Sequence, residues 1–200
     1  MRVSWDLPLL LFTAVLGTFS LLIIFSVNKN LATSQLVFWL IGALALIFAS
    51  SFDHRNWQRM SIGIYLAAVI LLILVLFVGE PIRGSTRWIS FPSFRFQPSE
   101  LAKIAAIFTL AGFYSKRQAS QFKNVILSFL LILPIALLIL REPDIGNALS
   151  VIAIWLGTSI AAGLRPKTIL LLFVVAAFVA FLGYEQLALY QKQRILSFLN

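Results

Sequence analysis

The chain has 200 residues, 60% of them hydrophobic and 12% charged, with 16 Lys and Arg against 7 Asp and Glu and no cysteine. A soluble domain averages about 45–50% apolar and about 25% charged residues, so this composition excludes an ordinary soluble enzyme and points to a membrane protein. The net charge of +9 lies in short loops between apolar runs, which fits anionic lipid or a phosphate-bearing substrate and argues against nucleic acid as a partner.

A membrane-spanning helix needs about 20 apolar residues. The first run, residues 7–27, ends in Asn28-Lys29-Asn30. It is longer than a signal-peptide core, so it reads as a retained membrane helix. Further runs follow near 34–52, 60–78, 99–114, 123–140, 145–162 and 168–185, the fourth being the shortest. These seven runs predict an all-α polytopic membrane protein, with one transmembrane domain over residues 1–200. The sole histidine, His54, reads as a solvated loop residue. No zinc pattern, P-loop, GxSxG elbow or Rossmann fingerprint is present.

With the N-terminus inside, the inner loops carry eight Lys and Arg and the outer loops seven. Counting positive charges therefore does not orient the chain. The outer bases concentrate in the third loop, residues 79–98, between helices 3 and 4. Its sequence, GEPIRGSTRWISFPSFRFQP, is longer than its neighbours and punctuated by Gly79, Pro81, Gly84, Pro92 and Pro98. Long ordered loops are more often functional. Trp88, Phe91, Phe94 and Phe96 suit a membrane interface or packing between helices.

Pro98 suits the first turn of a helix. Gln97 then stands near the N-cap and Glu100 at the third position, so Glu100 reads either as a capping residue or as part of a charged cluster. Lys103 shares a helix face with Glu100. One turn into a membrane helix, a lysine needs a partner, a route to the surface or a wet cavity. In the cluster reading, Arg87 and Arg95 join it, because their planar donors match phosphate oxygens. REPDIGNALS, residues 141–150, lies between the fifth and sixth runs, on the same side as the third loop. There Asp144 reads as an N-cap. With Arg141 and Glu142 it also reads as the second wall of an outward-facing cavity. Residues 185–200 begin amphipathic, as an interfacial helix does. The chain stops at Asn200 without a closing signal and reads as an N-terminal fragment.

Three stretches, GSTRWISFPSFRFQPSELAKIA (84–105), REPDIGNAL (141–149) and LYQKQRILSFLN (189–200), together resemble the SEDS family of bacterial cell-wall polymerases, the shape, elongation, division and sporulation proteins. FRFQPSE and YQKQRILSFLN are more similar to the elongation branch, RodA, than to the division branch, FtsW. The resemblance covers the 200 residues and corresponds to the N-terminal part of a family with more membrane helices. It implies an inside N-terminus in the bacterial inner membrane and a peptidoglycan glycosyltransferase that polymerises lipid II. The implied partners are a class B penicillin-binding transpeptidase and membrane proteins of the elongation machinery. No cofactor is firmly implied, although a magnesium or manganese ion is an option at the pyrophosphate. Carried over by position, the substrate-binding residues are Arg87, Arg95, Gln97, Glu142 and Asp144, supported by Glu100 and Lys103, with no metal ligand. The family's principal catalytic aspartate falls beyond Asn200, so these 200 residues are expected to be inactive alone. Two rivals remain: a lipid II flippase and a scaffold for the transpeptidase. A flippase predicts charges through several helix middles, whereas here they gather on one side.

Overall fold

Asn28 alone separates the first two helices. Its extended backbone interrupts the helix, and its N–H closes α1 (Leu7–Val27) on the Ile24 carbonyl. Its side-chain oxygen accepts from the N–H groups of Asn30 and Leu31 and so opens α2 (Lys29–Ser50). Asp6 caps the other end of α1 through the Leu9 N–H. The two helices pack so closely that a Cβ on Gly17 would overlap the Trp39 indole. Within these two helices, Ala32 alone is buried.

The computed structural model describes residues 6–82, 85–91 and 94–184. The chain falls into two compact units, Met1–Trp57 and Gln58–Asn200. The first holds α1, α2 and the start of α3 (His54–Val78). In the second, α3 ends at Gly79, whose N–H bonds the Val75 carbonyl at 2.8 Å. A small antiparallel sheet follows in the order β1 (Glu80–Ile82), β2 (Ser85–Ser90), β3 (Arg95–Phe96). Ile89 pairs with Phe96 and Ser90 with Arg95. Then come α4 (Pro98–Tyr114), α5 (Phe122–Arg141), α6 (Ile145–Ala161) and α7 (Pro166–Tyr184).

The core of the second unit forms where α4 meets α5 and α6. One face of α4 buries Ser99, Ala102, Ala105, Ala106 and Thr109. Small side chains at this spacing let helices approach closely in a membrane. Ile132, Ile135 and Ile139 of α5 and Val151 and Trp155 of α6 fill the opposite side. A polar staple ties the three helices: the Tyr114 hydroxyl lies 2.6 Å from Ser128 Oγ and 2.8 Å from Ser159 Oγ. Trp155 Nε1 donates to Ser128 Oγ at 2.9 Å. Pro134 removes a backbone donor inside α5, and nearby the Tyr65 hydroxyl donates to the Leu131 carbonyl at 2.9 Å. Gly163, at φ +90°, ends α6 in a Schellman turn: its N–H bonds Ile160 O, and the Leu164 N–H bonds Ser159 O.

Among the described residues, Leu7–Val27, Lys29–Ser50, Arg55–Val78 and Phe122–Arg141 are long and apolar enough to cross a membrane, and shorter apolar helices accompany them. The chain is a multi-pass membrane protein, with seven helices among the described residues, as its apolar runs predict. α2 and α3 start earlier than those runs, at 29 and 54, because Asn28 and Asp53 order polar first turns that hydropathy does not register. The third loop departs from expectation by forming strands. The segment 185–200, with its LYQKQRILSFLN motif, lies outside the described residues.

Candidate functional site

Three stretches distant in sequence meet at one end of the second unit: the sheet, the start of α4 and the α5–α6 junction. Asp144 joins them. It caps α6 through Oδ1, which accepts the Asn147 N–H at 3.2 Å. Its Oδ2 takes Arg87 Nη1 from β2 at 3.1 Å, Gln97 Nε2 at 3.1 Å and Asn147 Nδ2 at 2.9 Å. Asp144 is 6% exposed. A carboxylate that deep is tolerable only when its charge is matched and its lone pairs are filled, and here a guanidinium and three N–H donors do both.

A second charge pair adjoins the first. Lys103 Nζ donates to Glu100 Oε1 at 2.9 Å and to Asn147 Oδ1 at 3.1 Å. Asn147 Nδ2 also reaches Ser99 Oγ at 3.2 Å. Side-chain exposure rises outward, from 24% at Lys103 to 56% at Glu100.

Glu142 is the innermost acid. It is fully buried, and neither carboxyl oxygen has a hydrogen-bond partner. Burial pushes its pKa up to about 8; the Asp144 charge adds to the rise and Arg87 opposes it. Glu142 therefore holds a proton at neutral pH. Arg87 Nε is also buried without a partner.

Of the residues singled out in the sequence, Arg87, Gln97, Glu100, Lys103 and Asp144 come together. Arg95 does not join them. It is exposed on β3 and makes no ion pair with a described residue. Glu142, expected to bind substrate, is fully buried, with Asp144 and Arg87 as its charged neighbours. The capping reading of Glu100 also gives way: Gln97 stands at the N-cap without a side-chain bond, and the Glu100 carboxylate turns forward to Lys103. Asn147 and Ser99 were missed. The available signal was the Asp-x-x-Asn spacing across the first turn of a helix, which brings the two side chains into reach.

Chemically, the cluster offers an anion two cationic groups. Lys103 uses two of its three N–H bonds and Arg87 one edge of its guanidinium. Among the described residues, no group of three or more His, Asp and Glu is assembled to hold a metal ion.

The profile of the family described as "Cell cycle protein", comprising FtsW, RodA and SpoVE, matches residues 3–200. The chain is 32% identical to the "Probable peptidoglycan glycosyltransferase FtsW" of Geobacter metallireducens, over 98% of this chain and 56% of that protein. It is 36% identical to the "Peptidoglycan glycosyltransferase MrdB" of Helicobacter pylori, over 98% and 53%. Among solved structures, it resembles a chain of a peptidoglycan synthase complex that coordinates polymerization and crosslinking, with a TM-score of 0.85 and 28% identity over 96% of this chain and 58% of that one. It also resembles the rod shape determining protein RodA of Thermus thermophilus, with a TM-score of 0.76 and 28% identity over 88% and 60%. The chain thus spans a little over half the length of the curated relatives it matches.

Proposed function

We propose a function from one premise: this chain belongs to the cell cycle protein family of FtsW, RodA and SpoVE. The whole protein is a peptidoglycan glycosyltransferase of the bacterial inner membrane that polymerises lipid II in the elongation branch of the family. The observation that carries this reading is the buried charge cluster in which Asp144 ties Arg87 and Gln97 beside the Glu100–Lys103 pair. The relatives' names support the activity, and the likeness to a rod shape determining protein supports the branch.

In the reaction, an acceptor hydroxyl oxygen attacks the anomeric carbon of a lipid-linked donor. The bond from that carbon to the pyrophosphate oxygen breaks, and the pyrophosphate leaves with the electron pair. Lys103, through its unused N–H, and Arg87 hold the departing anion. Glu100 orients Lys103, while Gln97 and Asp144 fix Arg87. The acceptor's proton goes to a base outside this cluster, because Asp144 is occupied by four donors, Glu142 is fully buried with its pKa raised, and Glu100 is committed to Lys103. A magnesium or manganese ion fits this reading only as a companion of the pyrophosphate, since the cluster does not supply a metal's ligand set.

The cluster faces the outer side of the membrane. Among described residues of the second unit, the opposite end carries Arg59, Lys116, Arg117, Lys123, Arg165 and Lys167, and the cluster end carries Arg87, Arg95, Lys103 and Arg141. The richer end belongs in the cytoplasm. A class B transpeptidase is the proposed partner, a reading supported by the likeness to a synthase complex.

The test uses purified full-length protein, its transpeptidase partner, fluorescent lipid II and a gel that resolves glycan strands. Wild type is expected to make polymer, and Lys103→Met at least roughly tenfold less, as for loss of one transition-state donor. Equal polymer from both overturns the site. No polymer from folded wild type, with partner and substrate verified, overturns the enzyme and leaves the flippase or the scaffold.

A further inference from the structure

Asn147 touches both charge pairs. Its Oδ1 accepts from Lys103 at 3.1 Å, and its Nδ2 donates to Asp144 at 2.9 Å and to Ser99 at 3.2 Å. The orientation of this amide follows from its partners, because an ammonium only donates and an ionised carboxylate only accepts. The amide carries its acceptor and its donor on separate atoms, so each charge has a partner of its own. Lys103 and Asp144 carry opposite charges and are both bound to this one residue. Without it, attraction in a poorly solvated setting would draw them together. Lys103 would then turn from Glu100 towards the interior and fill its free N–H.

We infer that Asn147 is a positioning residue that partitions the site, assigning Lys103 to Glu100 and Asp144 to Arg87 and keeping one Lys103 N–H free for an incoming anion. Ser99, fully buried on α4, anchors the amide from the opposite helix. The residue touches no reacting atom; it acts through the two charges it separates. Its effect on turnover rests on the glycosyltransferase reading, while its effect on Lys103 does not.

The experiment therefore has two readouts on full-length protein. The first is the rate at which a water-soluble acetylating reagent modifies Lys103, followed by mass spectrometry, with the exposed Lys116 and Lys123 as internal references. In Asn147→Leu, Lys103 is expected to react at least roughly threefold more slowly, because a second carboxylate then holds its ammonium and shields it from the reagent. Asn147→Gln, which keeps the amide, should recover much of the wild-type rate. Asn147→Leu combined with Asp144→Asn should also recover it, because the inward pull is gone, whereas a merely structural role predicts no such rescue. Should Asn147→Leu fail to melt cooperatively, Asn147→Ala, which can neither donate nor accept, is expected to show the same slowing. An unchanged Lys103 rate in a folded variant overturns the inference.

The second readout is polymerisation of lipid II. Asn147→Leu is expected to lower kcat by about tenfold to a hundredfold with KM little changed, as for misplacement of a transition-state group. Slowed acetylation with normal turnover overturns the positioning role. Slowed acetylation with no polymer even from wild type supports the partition and overturns the glycosyltransferase reading instead.

Discussion

Glu142 sets the pH behaviour at the scale of single residues. Its carboxyl moves from an ordinary value of 4.5 to about 8 on folding, mainly through burial. Between those values the folded state keeps a proton that the unfolded state has lost. Stability therefore falls as pH rises through this window, and the loss is complete above about 8. Melting curves from pH 5 to pH 9 should show this decline in wild type and a flatter profile in Glu142→Gln, with the variant the more stable at the alkaline end. An unchanged decline in the variant would assign the effect elsewhere. Asp144 makes a different prediction. Asp144→Ala removes both a helix cap and the partner of Arg87, at a cost of about 1–3 kcal/mol, whereas Asp144→Asn keeps a cap and should cost less. Denaturation midpoints rank the two. The charged members of the site were legible because charges at the mouth of an apolar helix are expensive and stand out. Asn147 was not, since an asparagine in a first helical turn looks like any capping partner until its neighbours from α4 are known.

At the scale of elements, two glycines and one tyrosine hold the second unit's architecture. A Cβ on Gly79 would strike the Val75 carbonyl and come within 3.2 Å of the Thr86 carbonyl, where β2 passes the end of α3. Both obstacles are backbone, so Gly79→Ala should cost about 1–3 kcal/mol in thermal stability. Gly163 instead needs its left-handed backbone, and Gly163→Ala should cost about 1–2 kcal/mol by the same measurement. Tyr114→Phe removes the hydroxyl shared by Ser128 and Ser159 and should cost about 1 kcal/mol, the usual worth of a hydrogen bond between membrane helices. The helices were legible from length and hydropathy alone. The sheet was hidden because its described strands span only three, six and two residues.

At the scale of the whole molecule, the uneven distribution of bases makes orientation testable. These 200 residues hold no cysteine, so each introduced thiol is read as labelling above that of the parent protein. In intact cells, Arg95→Cys should react with a membrane-impermeant maleimide, and Lys167→Cys only after permeabilisation. The reverse result would invert the proposed topology. A count of bases loop by loop leaves the orientation open, because it includes residues near both termini and omits Lys103 inside α4. Grouping described residues of the second unit by bundle end separates a purely basic end from one where Arg87, Lys103, Glu100 and Asp144 neutralise each other.

The order of residues was enough for the membrane class, for the seven helices among the described residues and for the residues most costly to place at a helix mouth. Those features follow from local hydropathy and from the penalty for charge near hydrocarbon, which each segment carries wherever it packs. Only the tertiary structure decided which charges pair, that Glu142 is sealed while Asp144 is shared by three segments, and that Asn147 stands between two ion pairs. These depend on residues 44 to 57 positions apart along the chain meeting within about 3 Å, and a distance across the bundle is not encoded in any one segment.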